Sequence, residues 1–258
     1  MRTRTKQTNN YIRLLGYASS VILWVIIWHL VSLHIDSDLF LPSPLTVLDV
    51  LIHNLLPSEE FRLSLTTSLV HIGTGFIIGA ATGILLAVIS SVSNIIKTLL
   101  WFPIKVMKAV PVASFVILVL LWLDAKDLAI FIPAMIVLPT LYINTLTGIG
   151  QTDEKLLDMA ALFRISTMKR ILHIYIPQTI PYVLSACSLA IGMAWKAGVA
   201  AEIIGLTKNS IGNELYKAKI YLMTPELFAW TIIIVVLSMI CEGVIRLAIR
   251  GLERNAHE

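Results

Sequence analysis

Long apolar runs constrain the fold of this chain more than any other feature of its sequence. A helix needs about 20 predominantly apolar residues to cross the hydrocarbon core of a bilayer. The sequence predicts six such crossings, at residues 14–33, 65–92, 106–123, 128–149, 179–206 and 227–249. Because Lys105, Lys108, Pro103 and Pro111 enter or interrupt the third run, five crossings are the alternative.

The composition agrees with an all-α membrane protein in one transmembrane domain, residues 1–258. Only 14% of the residues are charged, against about 25% in soluble domains. The net charge of +4 comes from Lys and Arg residues that are scattered among the loops, so we expect no nucleic-acid partner. Cys187 and Cys241 lie inside apolar runs, where a thiol behaves as a small hydrophobe. We expect neither a disulfide framework nor a metal site.

The distribution of Lys and Arg predicts the orientation in the cell membrane. With the N-terminus inside, twelve of these residues fall on the inner side and five on the outer side. Since cytoplasmic loops carry the excess of Lys and Arg, residues 1–13, 150–177 and 250–258 are predicted to be cytoplasmic. The first apolar run is too long for a signal peptide and has no small-residue cleavage site after it, so we expect a true span.

Small residues recur every four positions in the second run, at Gly75, Gly79, Gly83 and Ala87. This spacing places them along one stripe of a helix. Small residues let helix backbones approach closely in a membrane. We expect the stripe to pack against another helix of the same chain; a seam with a second copy is the alternative.

The connection from Gly150 to Pro177 is much longer than the two to eight residues that usually join helices. It has no Gly or Pro between Gln151 and Ile176, so we expect it to be helical. Its apolar residues return at helical spacings, at Leu157, Ala160, Ala161, Ile165, Met168 and Leu172. An apolar helix face is therefore available to a partner, or, as an alternative for residues 162–170, to lipid headgroups.

This connection resembles the cytoplasmic loop of the membrane subunits of binding-protein-dependent ABC importers of the type I fold. That loop carries Glu-Ala-Ala, then a Gly, then Ile-x-Leu-Pro. Residues 174–177 read Ile-Tyr-Ile-Pro, which aligns Asp158-Met159-Ala160 with Glu-Ala-Ala and Arg164 with the Gly. Arginine in place of glycine is a departure that puts the docking geometry in doubt.

Further segments extend the resemblance over about three quarters of the chain and favour the nitrate, sulfonate and taurine group. They follow in the expected order: Leu41-Pro42-Ser43-Pro44, Pro181-Tyr182, Ala194-Trp195, Val199-Ala200-Ala201-Glu202, Ser210-Ile211-Gly212 and Leu227-Phe228-Ala229.

The resemblance implies a type I ABC importer permease (MetI-like) fold and a transport role. It implies two ATPase subunits, a second permease copy, giving a homodimer, and an external substrate-binding protein that delivers a small anionic solute. The sequence has no Gly-x-x-x-x-Gly-Lys-Ser/Thr motif, so we expect ATP and Mg to bind to the partner ATPase. We expect no cofactor and no catalytic residue in this chain. The ATPase-docking residues would be Asp158, Met159, Ala160, Ala161, Leu162, Phe163, Arg164, Ile165, Ser166, Thr167 and Met168.

Ionisable residues within the apolar runs are functional candidates, because charge is costly in the hydrocarbon region. Glu242 and Arg246 have the spacing of a pair along one helix. Lys105 and Lys108 can instead reach the inner surface, and Glu202 the outer interface. The candidates for lining a pathway are Lys108, Pro111, Trp195, Lys196 and Glu202.

Two other classes of membrane protein would leave different patterns in the sequence. An ion-coupled secondary transporter predicts acidic relays or paired broken helices in two related halves. A membrane-embedded enzyme predicts a metal-ligand cluster or a nucleophile beside a base. Neither pattern is visible in the sequence.

Overall fold

The computed structural model describes the backbone of residues 2–255 and the side chains of residues 16–247. The side chains of the terminal basic residues used to predict orientation (Arg2, Arg4, Lys6, Arg13, Arg250 and Arg254) lie outside this description. Over residues 2–255 the backbone forms helices and turns: α1 (Arg2–Ile35), α2 (Pro44–Asp49), α3 (Glu59–Val92), α4 (Asn94–Ala109), α5 (Val112–Val119), α6 (Ala125–Gly150), α7 (Glu154–Leu162), α8 (Thr167–Arg170), α9 (Ile176–Gly205), α10 (Ile211–Ile220) and α11 (Thr224–Asn255), with π-helical turns at Val50–Leu55 and Ile171–Tyr175.

Five of the six predicted crossings correspond to helices that are long and apolar enough to span a membrane. These segments are Gly16–Ile35, Glu59–Val92, Ala125–Gly150, Thr167–Gly205 and Thr224–Leu247. The all-helical membrane fold predicted from the sequence is therefore confirmed for the described residues.

The described chain divides into two compact units, Met1–Phe61 with Lys217–Ile232 and Arg62–Tyr216 with Ile233–Glu258. In the first unit, the Trp28 and Phe228 rings stack with centroids 5.6 Å apart. The Trp28 indole donates to the Pro42 carbonyl (3.0 Å), and the Thr224 hydroxyl donates to the Leu39 carbonyl (2.8 Å). The end of α1 and the start of α11 are thus held to the segment that leads into α2.

The second unit has two distinct ends. At one end the Tyr142 hydroxyl of α6 donates to Ser90 of α3 (3.1 Å). At the other, the Thr207 hydroxyl that follows α9 donates to the Ala125 carbonyl at the start of α6 (3.0 Å). We call the first of these the loop end, because the connection from α6 to α9 begins there. Helices α3 and α6 run toward the loop end, and α9 runs away from it.

The third predicted crossing is not the straight helix over residues 106–123 that the sequence suggested. It consists of α4 and α5, bent by 105° at Val110 and Pro111. Both residues have extended backbone, because proline cannot donate a helical hydrogen bond and disfavours helix in the residue before it. Near the loop end, Ile104 of α4 packs with Ala87 and Tyr142.

Helix α5 lies at the opposite end, where Val116 and Val119 pack with Leu128 of α6 and Ala201 of α9. The bent pair therefore leads from the loop end to the opposite end of the unit. We interpret it as one broken crossing, which makes six.

The small-residue stripe of α3 packs against α6 of the same chain, as predicted. Gly75, Gly79, Gly83 and Ala87 are all buried. A Cβ atom on Gly79 would lie 2.5 Å from the Ala134 carbonyl oxygen, and one on Gly83 would lie 2.6 Å from the Leu138 oxygen. Only glycine permits this separation of the two backbones.

Candidate functional site

The connection between α6 and α9, residues 151–175, is the α6–α9 loop. Helix α7 begins within it at an Asp153 cap, whose carboxylate accepts from the Lys155 amide (2.9 Å). The Asp153 amide donates to the side-chain oxygen of Gln178 in α9 (2.9 Å). The hydrogen bond between Asp153 and Gln178 therefore attaches the start of α7 to the first turn of α9. This attachment fixes the direction in which α7 leaves α9.

Helix α7 ends at Leu162, and a turn at Arg164 interrupts the helix that the sequence predicted between Gln151 and Ile176. Arg164 has φ 52°, in the left-handed region. Its amide donates to Ala161 (3.0 Å), and the Ile165 amide donates to Ala160 (2.9 Å). These two bonds form a Schellman motif, in which the left-handed position is usually glycine. The residue aligned with the family's Gly therefore keeps the backbone turn that glycine favours.

Arg170 holds this turn through its side chain. Its Nε donates to the Ile165 carbonyl (2.9 Å) and its Nη2 to the Ala160 carbonyl (3.3 Å). The guanidinium thus links Ala160 in the last turns of α7 to Ile165 just beyond the turn. Sequence reasoning counted Arg170 only as a positive charge, and its position in α8 gave no signal of this contact.

The predicted docking residues form an exposed surface that is largely apolar. Of residues 158–168, Ala160 alone is buried. The exposed fractions of Leu162, Phe163 and Met168 are 79%, 70% and 67%. An exposed apolar patch on an ordered frame is typical of a site that contacts protein or membrane.

An apolar cavity of about 510 Å³ lies beside the loop and is bordered by α3, α6, α8 and α9. Its wall includes the polar side chains of Ser91, Thr145, Thr167, Tyr175 and Thr179. The other lining residues are aliphatic, so the cavity has no charged group with which to bind an anion. Its border includes Ile171 and Tyr175 of the π-helical turn that joins the loop to α9.

The candidate pathway residues fall into two sets. Lys108, Pro111 and Lys196 are exposed on the chain, whereas Trp195 and Glu202 are buried. Lys105 is exposed too, with its ammonium 6.0 Å from the centre of the Trp101 ring. The expected pair on α11 is present, since Arg246 donates to Glu242.

Glu202 does not reach interfacial water, which corrects one sequence expectation. Its side chain is completely buried. Its Oε2 accepts from the Ser68 hydroxyl of α3 (2.8 Å) and from the Gly212 amide of α10 (3.1 Å). Sequence reasoning missed Ser68, which lies 134 positions earlier in the chain.

Comparison with known proteins agrees with this architecture. The family described as "Binding-protein-dependent transport system inner membrane component" matches residues 75–255. The nitrate import permease protein NrtB of Synechococcus elongatus is 30% identical over 200 residues, 74% of this chain and 71% of that protein. The taurine transport system permease protein TauC of Escherichia coli is 23% identical over 257 residues, 93% of this chain and 88% of that protein.

A solved structure supports the fold. The crystal structure of an amino acid ABC transporter with histidines has a TM-score of 0.59 and 18% identity, over 75% of this chain and 94% of that chain. The family match covers well over half of the sequence, so this chain belongs to the family of binding-protein-dependent transport system inner membrane components.

The chain is therefore a membrane-spanning transport subunit of an ABC importer, and ATP hydrolysis occurs on a separate ATPase subunit. The resemblance to the nitrate, sulfonate and taurine group is confirmed. A secondary transporter and a membrane enzyme are not favoured.

Proposed function

We propose that this permease moves a small anion of the nitrate, sulfonate or taurine type, which an external binding protein delivers. The relatives NrtB and TauC are named for nitrate and taurine transport. Lys196 supports an anionic solute, because it is exposed well inside α9. A lysine facing hydrocarbon is costly, so its ammonium faces a water-filled path or a second copy of the chain. Lys108 and Pro111, which are exposed at the bend of the broken crossing, are the other candidates for lining the path.

The α6–α9 loop is the ATPase-docking site in this proposal, through residues 158–168. The observation that carries it is the exposed apolar surface formed by Leu162, Phe163 and Met168. It stands on a frame held by the Asp153 cap and by the two Arg170 hydrogen bonds. Because these hydrogen bonds hold the surface in place, a displacement imposed by the ATPase moves the loop as a unit.

The proposed assembly contains two copies of the permease, two ATPase subunits with ATP and Mg, and one external binding protein. The loop end of the second unit is cytoplasmic. Six crossings then place both chain termini in the cytoplasm, which matches the excess of Lys and Arg on that side.

Charged substitutions at Ala161 and Ser166 test the docking site. Both residues are exposed, so Ala161→Glu and Ser166→Glu should leave membrane insertion intact. A charge buried in an interface without a partner is expected to weaken ATPase binding about tenfold or more. The control is Asn94→Glu, at an exposed position in the first turn of α4 where an acidic residue is favourable.

The measurements are copurification of the ATPase subunits with the permease and uptake of labelled nitrate and taurine into vesicles. We expect both loop variants to lose both signals and the control to keep them. Normal copurification with both loop variants would refute the docking assignment. It would leave residues 162–170 as a segment that rests on lipid headgroups.

A further inference from the structure

The first turn of α10 is capped by side chains from three different parts of the chain. A helix leaves its first N–H groups without intrahelical partners, and a local side chain usually satisfies one of them. Here the Asn213 amide donates to the local Ser210 hydroxyl (3.1 Å). The Ile211 amide donates to Ser68 of α3 (3.0 Å) and the Gly212 amide to Glu202 of α9 (3.1 Å).

Ser68 and Glu202 act together, because the Ser68 hydroxyl also donates to Glu202 Oε2 (2.8 Å). One continuous chain of hydrogen bonds thus joins α3, α9 and the start of α10. The side chains of Ser68, Glu202 and Ser210 are completely buried, so water does not compete for these bonds. We call the pair Ser68 and Glu202 the α10 clasp.

Close packing accompanies the hydrogen bonds. A Cβ atom on Gly212 would lie 2.7 Å from the Ile203 amide nitrogen, so only glycine allows α10 to begin this near to α9. A carboxylate at a helix N-terminus is favourable, but its burial is costly without such partners. The Ser210 cap alone would start the helix, so the buried carboxylate serves to attach α10 to α9 and α3.

We propose that the α10 clasp makes the start of α10 move together with α9. Helix α9 has 30 residues and is about 45 Å long. Its first turn holds the α6–α9 loop through Gln178, and its last turns hold α10 through Glu202. A displacement of the loop is therefore transmitted along α9 to the segment between α9 and α11. This inference rests on the proposed function, in which the ATPase acts on the loop.

The test compares cysteine labelling at the two ends of α9 in the complex of permease and ATPase subunits. In a background with Cys187 and Cys241 changed to Ser, single cysteines are placed by Ser166→Cys in the loop and Asn213→Cys in α10. Maleimide labelling rates are measured with and without ATP plus vanadate. We expect the nucleotide to change the rate at both positions in the otherwise unchanged protein.

Ser68→Ala removes the acceptor of the Ile211 amide and one donor to Glu202. Loss of a buried hydrogen-bond partner is expected to increase the population in which the start of α10 is detached from α9 about tenfold. Labelling at position 213 without nucleotide should therefore accelerate about tenfold. The labelling rate there should no longer change when nucleotide is added. The response at position 166 should persist, which also reports that the variant is folded. Glu202→Ala removes the acceptor that Ser68 and Gly212 share, so it should have the same two effects at position 213.

The outcomes separate the two proposals. No response at position 166 in the parent protein would mean that the docking site, and not the clasp, is wrong. A response at 166 without one at 213 in the parent would overturn the clasp. An undiminished response at 213 in Ser68→Ala or in Glu202→Ala would overturn it as well.

Discussion

Replacement of Arg164 by glycine is expected to stabilise the turn at the end of α7. Arg164 occupies the left-handed region at φ 52°, where its Cβ atom lies too close to the backbone. The Schellman bonds of the Arg164 and Ile165 amides do not require the arginine side chain. Glycine can therefore make both of these bonds without the steric conflict.

The net effect can be worked out from two opposing terms. A residue with a Cβ atom costs roughly 1–2 kcal/mol in the left-handed region. Glycine has a more flexible unfolded state, which costs roughly 0.5–1 kcal/mol. The net gain is about 0.5–1 kcal/mol, so local opening of the turn should become about two- to fivefold less frequent.

Hydrogen exchange of the amides of residues 164 and 165 measures this opening in the detergent-solubilised or nanodisc-reconstituted complex. Arg164→Gly should slow their exchange about two- to fivefold. Arg164→Ala is the matched control, because alanine removes the guanidinium but keeps the Cβ atom. Exchange that slows equally in both variants would refute the backbone argument and assign the effect to the side chain.

Two further predictions concern helix packing and the pathway. Gly79→Ala should lower the melting temperature of the detergent-solubilised protein by about 5 °C, because the new Cβ atom meets the α6 backbone. Gly73→Ala, with nothing within 4 Å, should instead keep or slightly raise that temperature, because alanine has a less flexible unfolded state; an equal fall in both variants would contradict the packing. Lys196→Met should reduce uptake of labelled nitrate or taurine about tenfold while Lys196→Arg preserves it. Full uptake by Lys196→Met would exclude Lys196 from the path.

The features that could be predicted from the sequence are those that depend on local patterns. Apolar run length identified the five helices that are long enough to cross a membrane, because hydrocarbon thickness determines helix length. The four-residue spacing of Gly75, Gly79 and Gly83 predicted a packing stripe, and the structure identified α6 as its partner. The spacing of Glu242 and Arg246 was sufficient to predict their contact.

The features that could not be predicted depend on contacts between distant residues or on an unfavoured local conformation. The sequence placed Glu202 near the end of its apolar run, which suggested that its side chain reaches the membrane surface. Nothing in the sequence of α9 indicates that Ser68 of α3 is its hydrogen-bond partner. The turn at Arg164 was missed because arginine is a helix former, and the rule that glycine or proline ends a helix did not apply. Only the alignment of Arg164 with the family's Gly pointed to that position.

The break between α4 and α5 determines which parts of the second unit can move together. Helix α4 packs with Ala87 and Tyr142 near the loop end, and α5 packs with Leu128 and Ala201 at the opposite end. A straight helix would connect these two clusters rigidly, but two extended residues at a 105° bend do not. Helix α9 is continuous over the same distance. In the proposed mechanism, a displacement of the α6–α9 loop is therefore transmitted through α9, while the bend at Pro111 lets the two ends of the broken crossing adjust separately.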